Sequence, residues 1–277
     1  MFNQLKDIVL QTRKKFFSNN YGEHISTVSG SAFEFNEVRE YTIDDDIRHL
    51  NWKITARTRT PSVNTFFDNK QINVLVGYLN SGGLYFEENS KKNLALTVFT
   101  ALNYITLKNK DSLALLSFDE QEKFFFEFSS NKNYMNLAYD KLITLDALNT
   151  NINYKELQNC ILKKVKTKSI IFFVGDFLKL PEFEELFLNY EIYCCVIRDK
   201  KEENLSFHGD YNIVNTNSLN KKNMNIDAKT IKEYDKYMKD YDKKLEEYFK
   251  NYNIKYKKFY THENPYETLR TFFKDVK

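Results

Sequence analysis

Four short apolar runs constrain this chain most: INVLVGYL (72–79), DSLALLSF (111–118), KSIIFFVGD (168–176) and YEIYCCVI (190–197). Each is strand-sized and apolar on both alternating sets of positions, so each belongs in a sheet covered on two faces. Helical spacing fills the stretches between them: SKKNLALTVFTALNYITLKNK (90–110), opened by Ser90 as its cap, and segments near 131–145, 153–166 and 181–189. Strands that alternate with helices need crossover connections, and crossovers build parallel sheets. KFFFEF (123–128) reads as an edge strand, and a weaker strand lies near 211–215. A long helix near 226–251, a strand KYKKFY (255–260) and a last helix over 265–275 complete the chain. The expected architecture is one doubly wound, mostly parallel α/β domain over residues 70–277. Residues 1–69 form an appendage, an N-terminal helix followed by a turn-rich segment with β-like pieces such as SVNTFF.

Composition narrows the function classes. Lys and Arg total 41 against 38 Asp and Glu, a net charge of +3 that provides no global field for nucleic acid or an anionic membrane. No apolar stretch approaches the roughly 20 residues of a spanning helix, and the start lacks a signal-peptide pattern, so a cytoplasmic protein is expected. Leu5, Ile8, Val9 and Phe16 share a helical face beside Arg13, Lys14 and Lys15. That face packs on its own domain or touches a membrane surface. Cys160, Cys194 and Cys195 fit no metal spacing, and adjacent cysteines in a strand point to opposite faces, which favours buried, reduced thiols. In the long helix, Ile231, Tyr234, Met238, Tyr241, Leu245, Tyr248 and Tyr252 recur three and four apart. A coiled-coil seam has this spacing, but so does a stripe laid on a sheet, which is the preferred reading.

Enzyme motifs are missing. No nucleophile elbow, Gly-Lys-Ser phosphate loop, paired zinc ligands or Gly-x-Gly-x-x-Gly fingerprint occurs, and His24, His49, His208 and His262 are dispersed. Lys255, Lys257 and Lys258 interleave with Tyr256, Phe259 and Tyr260, an alternation that a strand with one buried and one solvated face explains without nucleic acid. Open parallel sheets bind ligands beyond the carboxyl ends of their strands. The loops there carry Ser81, Thr150 and Asp176, oxygen donors of the hard type that Mg²⁺ accepts.

These loops resemble the metal-ion-dependent adhesion site of von Willebrand factor A domains, which have Asp-x-Ser-x-Ser after strand one, a Thr in a later loop and an Asp after a central strand. GSAFEFNEVREYTIDDDIRHLNWKITAR (30–57) is similar to the signature of the bacterial family catalogued as domain of unknown function 58, whose members join such a segment to an A domain. Gly30, Glu34, Phe35, Arg39, Tyr41, Asp45, Asp46, Arg48, Trp52, Ala56 and Arg57 carry that match. Asp44 stands for the pattern's Gly and Asn51 for its Asp. Leu79 and Gly83 stand where the adhesion site would have its Asp and second Ser, so no working metal site is expected. Ser81, Thr150 and Asp176 are then either residual ligands or loop-turn and helix-cap residues. In the signature, Arg39, Arg48 and Arg57 either pair internally with Glu34, Asp45 and Asp46, with Trp52 as an anchor on the sheet, or face a partner. The resemblance implies a non-enzymatic adaptor, without cofactor, acting with an AAA+ ATPase of the MoxR type in chaperone-like assembly or maturation of client proteins. A Mg²⁺-dependent adhesion-type switch is the alternative.

Overall fold

The computed structural model describes residues 34–43, 45–67, 71–86, 90–205 and 207–275. The amphipathic N-terminal helix, Gly30 and His24 lie outside these residues. The chain divides into two compact units, one within Phe16–Gln71 and one running from Ile72 onward.

In the first unit, β1 (Glu34–Glu40) leads through a 3-10 turn (Ile47–His49) and α1 (Trp52–Thr58) to β2 (Ser62–Phe67). β1 and β2 pair antiparallel, with Arg39 opposite Val63. Asn51 caps α1 by accepting from the Ile54 amide at 3.1 Å, and its own side-chain amide donates to Asn64 Oδ1 at 2.8 Å. A carboxylate could cap here but could not donate to Asn64, which gives Asn51 a structural reason. The Ser62 amide donates to Thr55 Oγ1 at 3.0 Å and seats the helix on β2.

The second unit begins with β3 (Asn73–Leu79), α2 (Ser90–Lys108), β4 (Ser112–Phe118), β5 (Glu122–Ser129), α3 (Asn133–Thr144) and α4 (Tyr154–Lys164). It continues with β6 (Ile170–Gly175), α5 (Leu186–Asn189), β7 (Glu191–Arg198), α6 (Lys200–Glu203) and the hairpin of β8 (Gly209–Val214) and β9 (Lys221–Ile226). It closes with α7 (Ala228–Asn251), β10 (Lys255–Tyr260) and α8 (Pro265–Asp275). Six strands form one sheet in the order β10-β7-β6-β3-β4-β5, all parallel except β5. This is a Rossmann-like, doubly wound α/β fold. The chain winds one way from β3 and the other way from β6, which places a topological switch point between these two neighbours.

Side-chain alternation divides the core. Leu75, Phe173, Cys194 and Val196 pack with Leu157 and Ile161 of α4 and Leu245 and Phe249 of α7. On the opposite face Tyr78 meets Phe99 of α2 edge-on, while Phe172 and Tyr193 meet Phe273 and Phe272 of α8. Both Cys194 and Cys195 are fully buried free thiols, and burial raises each above the ordinary thiol range. The stripe of α7 lies on its own domain. Tyr234 and Tyr241 donate to the Glu202 and Phe177 carbonyls, each at 2.8 Å, and Tyr248 accepts from the Phe183 amide at 2.8 Å.

Two helices differ from expectation. The helix expected over 181–189 is only Leu186–Asn189, because Phe183 turns inward to stack on Phe173 at 4.7 Å and its amide is taken by Tyr248. Ser90 does not cap α2; it is helical itself, and its amide and hydroxyl donate to the Phe86 carbonyl at 3.1 and 3.3 Å. The weak strand expected near 211–215 is β8, which pairs with β9 in a separate hairpin.

Replacing Phe173 with Ala removes the centre of the stack that joins β6 to Phe183. The expected cost is about 3–5 kcal/mol, read as a lower urea midpoint with an unchanged slope.

Candidate functional site

The carboxyl edge of the sheet at the switch point brings the three expected oxygen donors close together, but it uses them internally. Ser81, directly after β3, donates its hydroxyl to Asp176 Oδ2 at 2.7 Å across 95 residues of sequence. Asp176, directly after β6, also accepts from the Leu178 amide at 3.3 Å. It does not cap a helix as expected, since the next helix starts only at Leu186. Thr150 donates its hydroxyl to the carbonyls of Ala147 at 2.6 Å and Asn80 at 2.8 Å, while its own carbonyl accepts from the Gly82 amide at 3.0 Å. Two residues beside these donors, Asn149 and Phe177, adopt left-handed backbone conformations with φ of 57° and 48°. Such conformations cost roughly 1–3 kcal/mol each and are held only where the surroundings demand them.

The glycines of the loop are needed for close approach. A Cβ on Gly83 would overlap the Asp176 carboxylate, and one on Gly82 would overlap Thr216 and Asn217. The latter two residues form the tip of the β8–β9 hairpin. That tip is tied to the edge by the Asn149 amide donating to the Thr216 carbonyl at 2.8 Å and by Asn151 Nδ2 donating to the Asn217 carbonyl at 3.0 Å. The hairpin therefore covers the loop that follows β3. Beside it lies a cavity of about 630 Å³, with Gly83, Phe86, Leu178, Phe207, Tyr234 and Tyr241 among its walls.

Arg198, the last residue of β7, supplies the charge behind the site. Its side chain is fully buried; Nη1 donates to the Asp176 main-chain carbonyl, Nε lies 3.8 Å from Glu203 and Nη2 lies 3.6 Å from Asp242. Lys258 joins both carboxylates at 2.9 and 2.6 Å. Burial disfavours the Lys258 charge, yet the hydrogen bonds it donates to Asp242 and Glu203 outweigh that and raise its pKa. Tyr78 and Tyr154 are pushed above the usual phenol range, first by burial and then by the Asp176 carboxylate. Arg198 was missed from sequence, although an arginine ending an otherwise apolar strand is a visible anomaly. The hairpin tip left no such signal.

This donor set does not fit Mg²⁺. The ion takes near-octahedral oxygen coordination anchored by carboxylates. Here one carboxylate is already bonded to the one hydroxyl facing it, Thr150 is turned to main-chain carbonyls, Leu79 is buried and a guanidinium contacts the main chain of Asp176. Among the described residues no group of three or more His, Cys, Asp or Glu could hold a metal ion.

In the signature unit, Arg39 makes a bidentate pair with Asp45 at 2.8 and 2.6 Å, and Thr42 donates both its amide and its hydroxyl to the same carboxylate. Burial raises the Asp45 pKa, but the Arg39 and Thr42 hydrogen bonds outweigh it and the net shift is downward. Asp46 is lowered to about 2, chiefly by the Arg48 side chain and amide. Tyr41 donates its amide to the Pro61 carbonyl at 2.8 Å. Two members of the expected internal network stand apart from it. Arg57 is exposed without an ion pair among the described residues, and Trp52, expected as an anchor on the sheet, is 68% exposed. Helix α1 is held to β2 through Thr55, and both residues lie exposed on the helix. Glu34 opens β1, and its side chain lies outside the described residues.

Gly83→Ser would place the hydroxyl that an adhesion site uses, yet the overlap with Asp176 makes it destabilising by about 1–3 kcal/mol. Urea midpoints with and without millimolar Mg²⁺ should both fall, with no recovery by the ion. For Asp45, a carboxyl depressed in the folded state stabilises above its unfolded pKa, and the contribution is lost as pH falls through the folded value. Asp45→Asn should remove that part of the acid sensitivity, followed through the emission of Trp52, the chain's single tryptophan.

Curated relatives include the uncharacterized proteins Mb1516 of Mycobacterium bovis and Rv1480 of Mycobacterium tuberculosis. Each is 25% identical over 114 residues, covering 40% of this chain and 36% of the relative. The alignment thus spans about a third of the relatives' length. Similar solved structures include BatB from Bacteroides thetaiotaomicron, with a TM-score of 0.41 and 9% identity over 74% of this chain and 98% of that one. An aerotolerance-related membrane protein from Bacteroides fragilis has a TM-score of 0.40 and 9% identity over the same shares. Residues 37–244 match the family model described as protein of unknown function DUF58, and the chain belongs to that family.

Proposed function

We propose that this chain is a non-enzymatic interaction protein. In this reading it is an adaptor that acts in the cytoplasm with an AAA+ ATPase of the MoxR type in the assembly or maturation of client proteins, and its second unit is a von Willebrand A-like domain. The observation that supports this reading is the state of the switch-point edge. There the hydroxyl of Ser81 is committed to Asp176, and the hairpin tip is bonded over the loop that a ligand would enter. Hydrolytic chemistry needs a nucleophile with a base beside it. His49, His208 and His262 lie on segments remote in sequence from Ser81, Thr150 and Asp176, and none is a described partner of these three. The energy for remodelling a client would come from the ATPase, since the chain has no phosphate-binding loop motif. The Mg²⁺-dependent alternative is not supported by the donor set.

The test is co-purification with the MoxR-type ATPase of the same organism and measurement of its ATP turnover with and without this protein. Association with a change in turnover is expected. Neither association nor any change would overturn the adaptor role.

A further inference from the structure

Within the first unit, the residues of α1 that point away from β2 have no described partner. At 100° per residue, Lys53 and Arg57 lie opposite Thr55, the residue held to β2, with Ala56 beside them and Trp52 at the edge nearer Thr55. Trp52 is 68% exposed, and Ile47 and Ile43, on the turn leading into the helix, are 63% and 95% exposed. From Trp52 to Arg59 the chain carries three cations, Lys53, Arg57 and Arg59, and no carboxylate. All three are exposed and make no side-chain ion pair or hydrogen bond among the described residues. The arrangement is unfavourable for a lone helix. Lys53 and Arg57 are like charges four apart, and Lys53 sits in the first turn, where the helix dipole disfavours a cation. Two carboxylates of the same unit, Asp45 and Asp46, are meanwhile committed to Arg39 and Arg48.

We infer that this side of α1 docks a partner protein that presents carboxylates around an apolar pocket for Trp52. Charge complementarity selects the carboxylates, and tryptophan with arginine is the pairing most enriched at protein hot spots. Three cations fall below the clusters of about four to eight that hold anionic lipid. They also fall below the roughly 6–10 phosphate contacts of a typical nucleic-acid site. The inference deepens the adaptor reading and rests on it only in taking the partner to be a protein.

The probe is a fluorescein-labelled peptide of alternating Glu and Leu, titrated against the full chain by anisotropy, with Trp52 emission recorded in parallel. A Lys/Leu peptide, phosphatidylserine vesicles and duplex DNA serve as the other arms. The Glu/Leu peptide should bind and shift Trp52 emission to the blue. The double variant Lys53→Glu/Arg57→Glu should weaken it about tenfold or more, and Trp52→Ala about 30-fold. Both variants lie on an exposed face, so unchanged circular dichroism is expected and separates lost docking from lost folding. No binding of the Glu/Leu peptide, binding that charge reversal leaves intact, or equal binding of the Lys/Leu peptide, vesicles or DNA would overturn the inference. Should the ATPase associate equally with the charge-reversed variant, this surface fails while the adaptor reading stands. Peptide binding without any ATPase association gives the reverse.

Discussion

Parallel pairing of β3 with β6 at the middle of the sheet governs most of the second unit's architecture. A parallel pair cannot be joined by a tight turn, so each connection becomes a crossover that carries helices onto one face or the other. Both faces of the central strands are then buried, which explains why β3, β4, β6 and β7 are apolar along almost their whole length. The same pairing sets the loops after β3 and β6 side by side. Ser81 and Asp176, distant in sequence, meet within hydrogen-bond distance because the strands before them run in register.

A crevice in that position is where open α/β sheets take ligands, and this chain bonds the polar groups of its own to one another. Ser81, Thr150 and the Gly82 amide are satisfied within the edge, and the β8–β9 hairpin tip is bonded to Asn149 and Asn151. Behind the crevice stands a costly feature, the fully buried guanidinium of Arg198. Desolvating such a charge is offset only by close counter-charges and hydrogen bonds. Glu203 and Asp242 supply the former and the Asp176 carbonyl the latter, while Lys258 balances the second negative charge. The effect is to bind the ends of β6, β7 and β10 to α6 and α7 by charge where the apolar core thins out.

The signature unit uses its charges in the opposite way. Its carboxylates are spent on holding turns, with Asp45 gripping Arg39 and Thr42 and Asp46 capping the 3-10 turn through Arg48. Its remaining cations and its tryptophan are left outside. A stretch that reads as a charge-balanced motif is thus divided by folding into residues satisfied inside the unit and exposed ones, Lys53, Arg57 and Trp52 among them. The reading of this segment as a wholly internal network failed at Arg57 and Trp52, which are exposed on a helix held to β2 through Thr55.

The doubly wound sheet, its edge strand β5 and the helices α2, α3, α4 and α7 were legible in the sequence. Strand and helix periods are local properties, and burial on two faces leaves an unbroken apolar run. Leu79 and Gly83 bring no side-chain oxygen to the loop after β3 whatever the fold. Folding alone decided the partners: that Ser81 would bond Asp176, that Phe183 would leave a helix for a ring stack, that Arg198 would be buried, and that KKNMNI would form β9 over the crevice. Each depends on contacts between residues far apart in the chain, and β9 carries only two apolar residues, Met224 and Ile226, a pattern too short to announce it. Local periodicity therefore determined the elements. Only tertiary packing decided which polar groups would be spent inside the protein and which would be left for a partner.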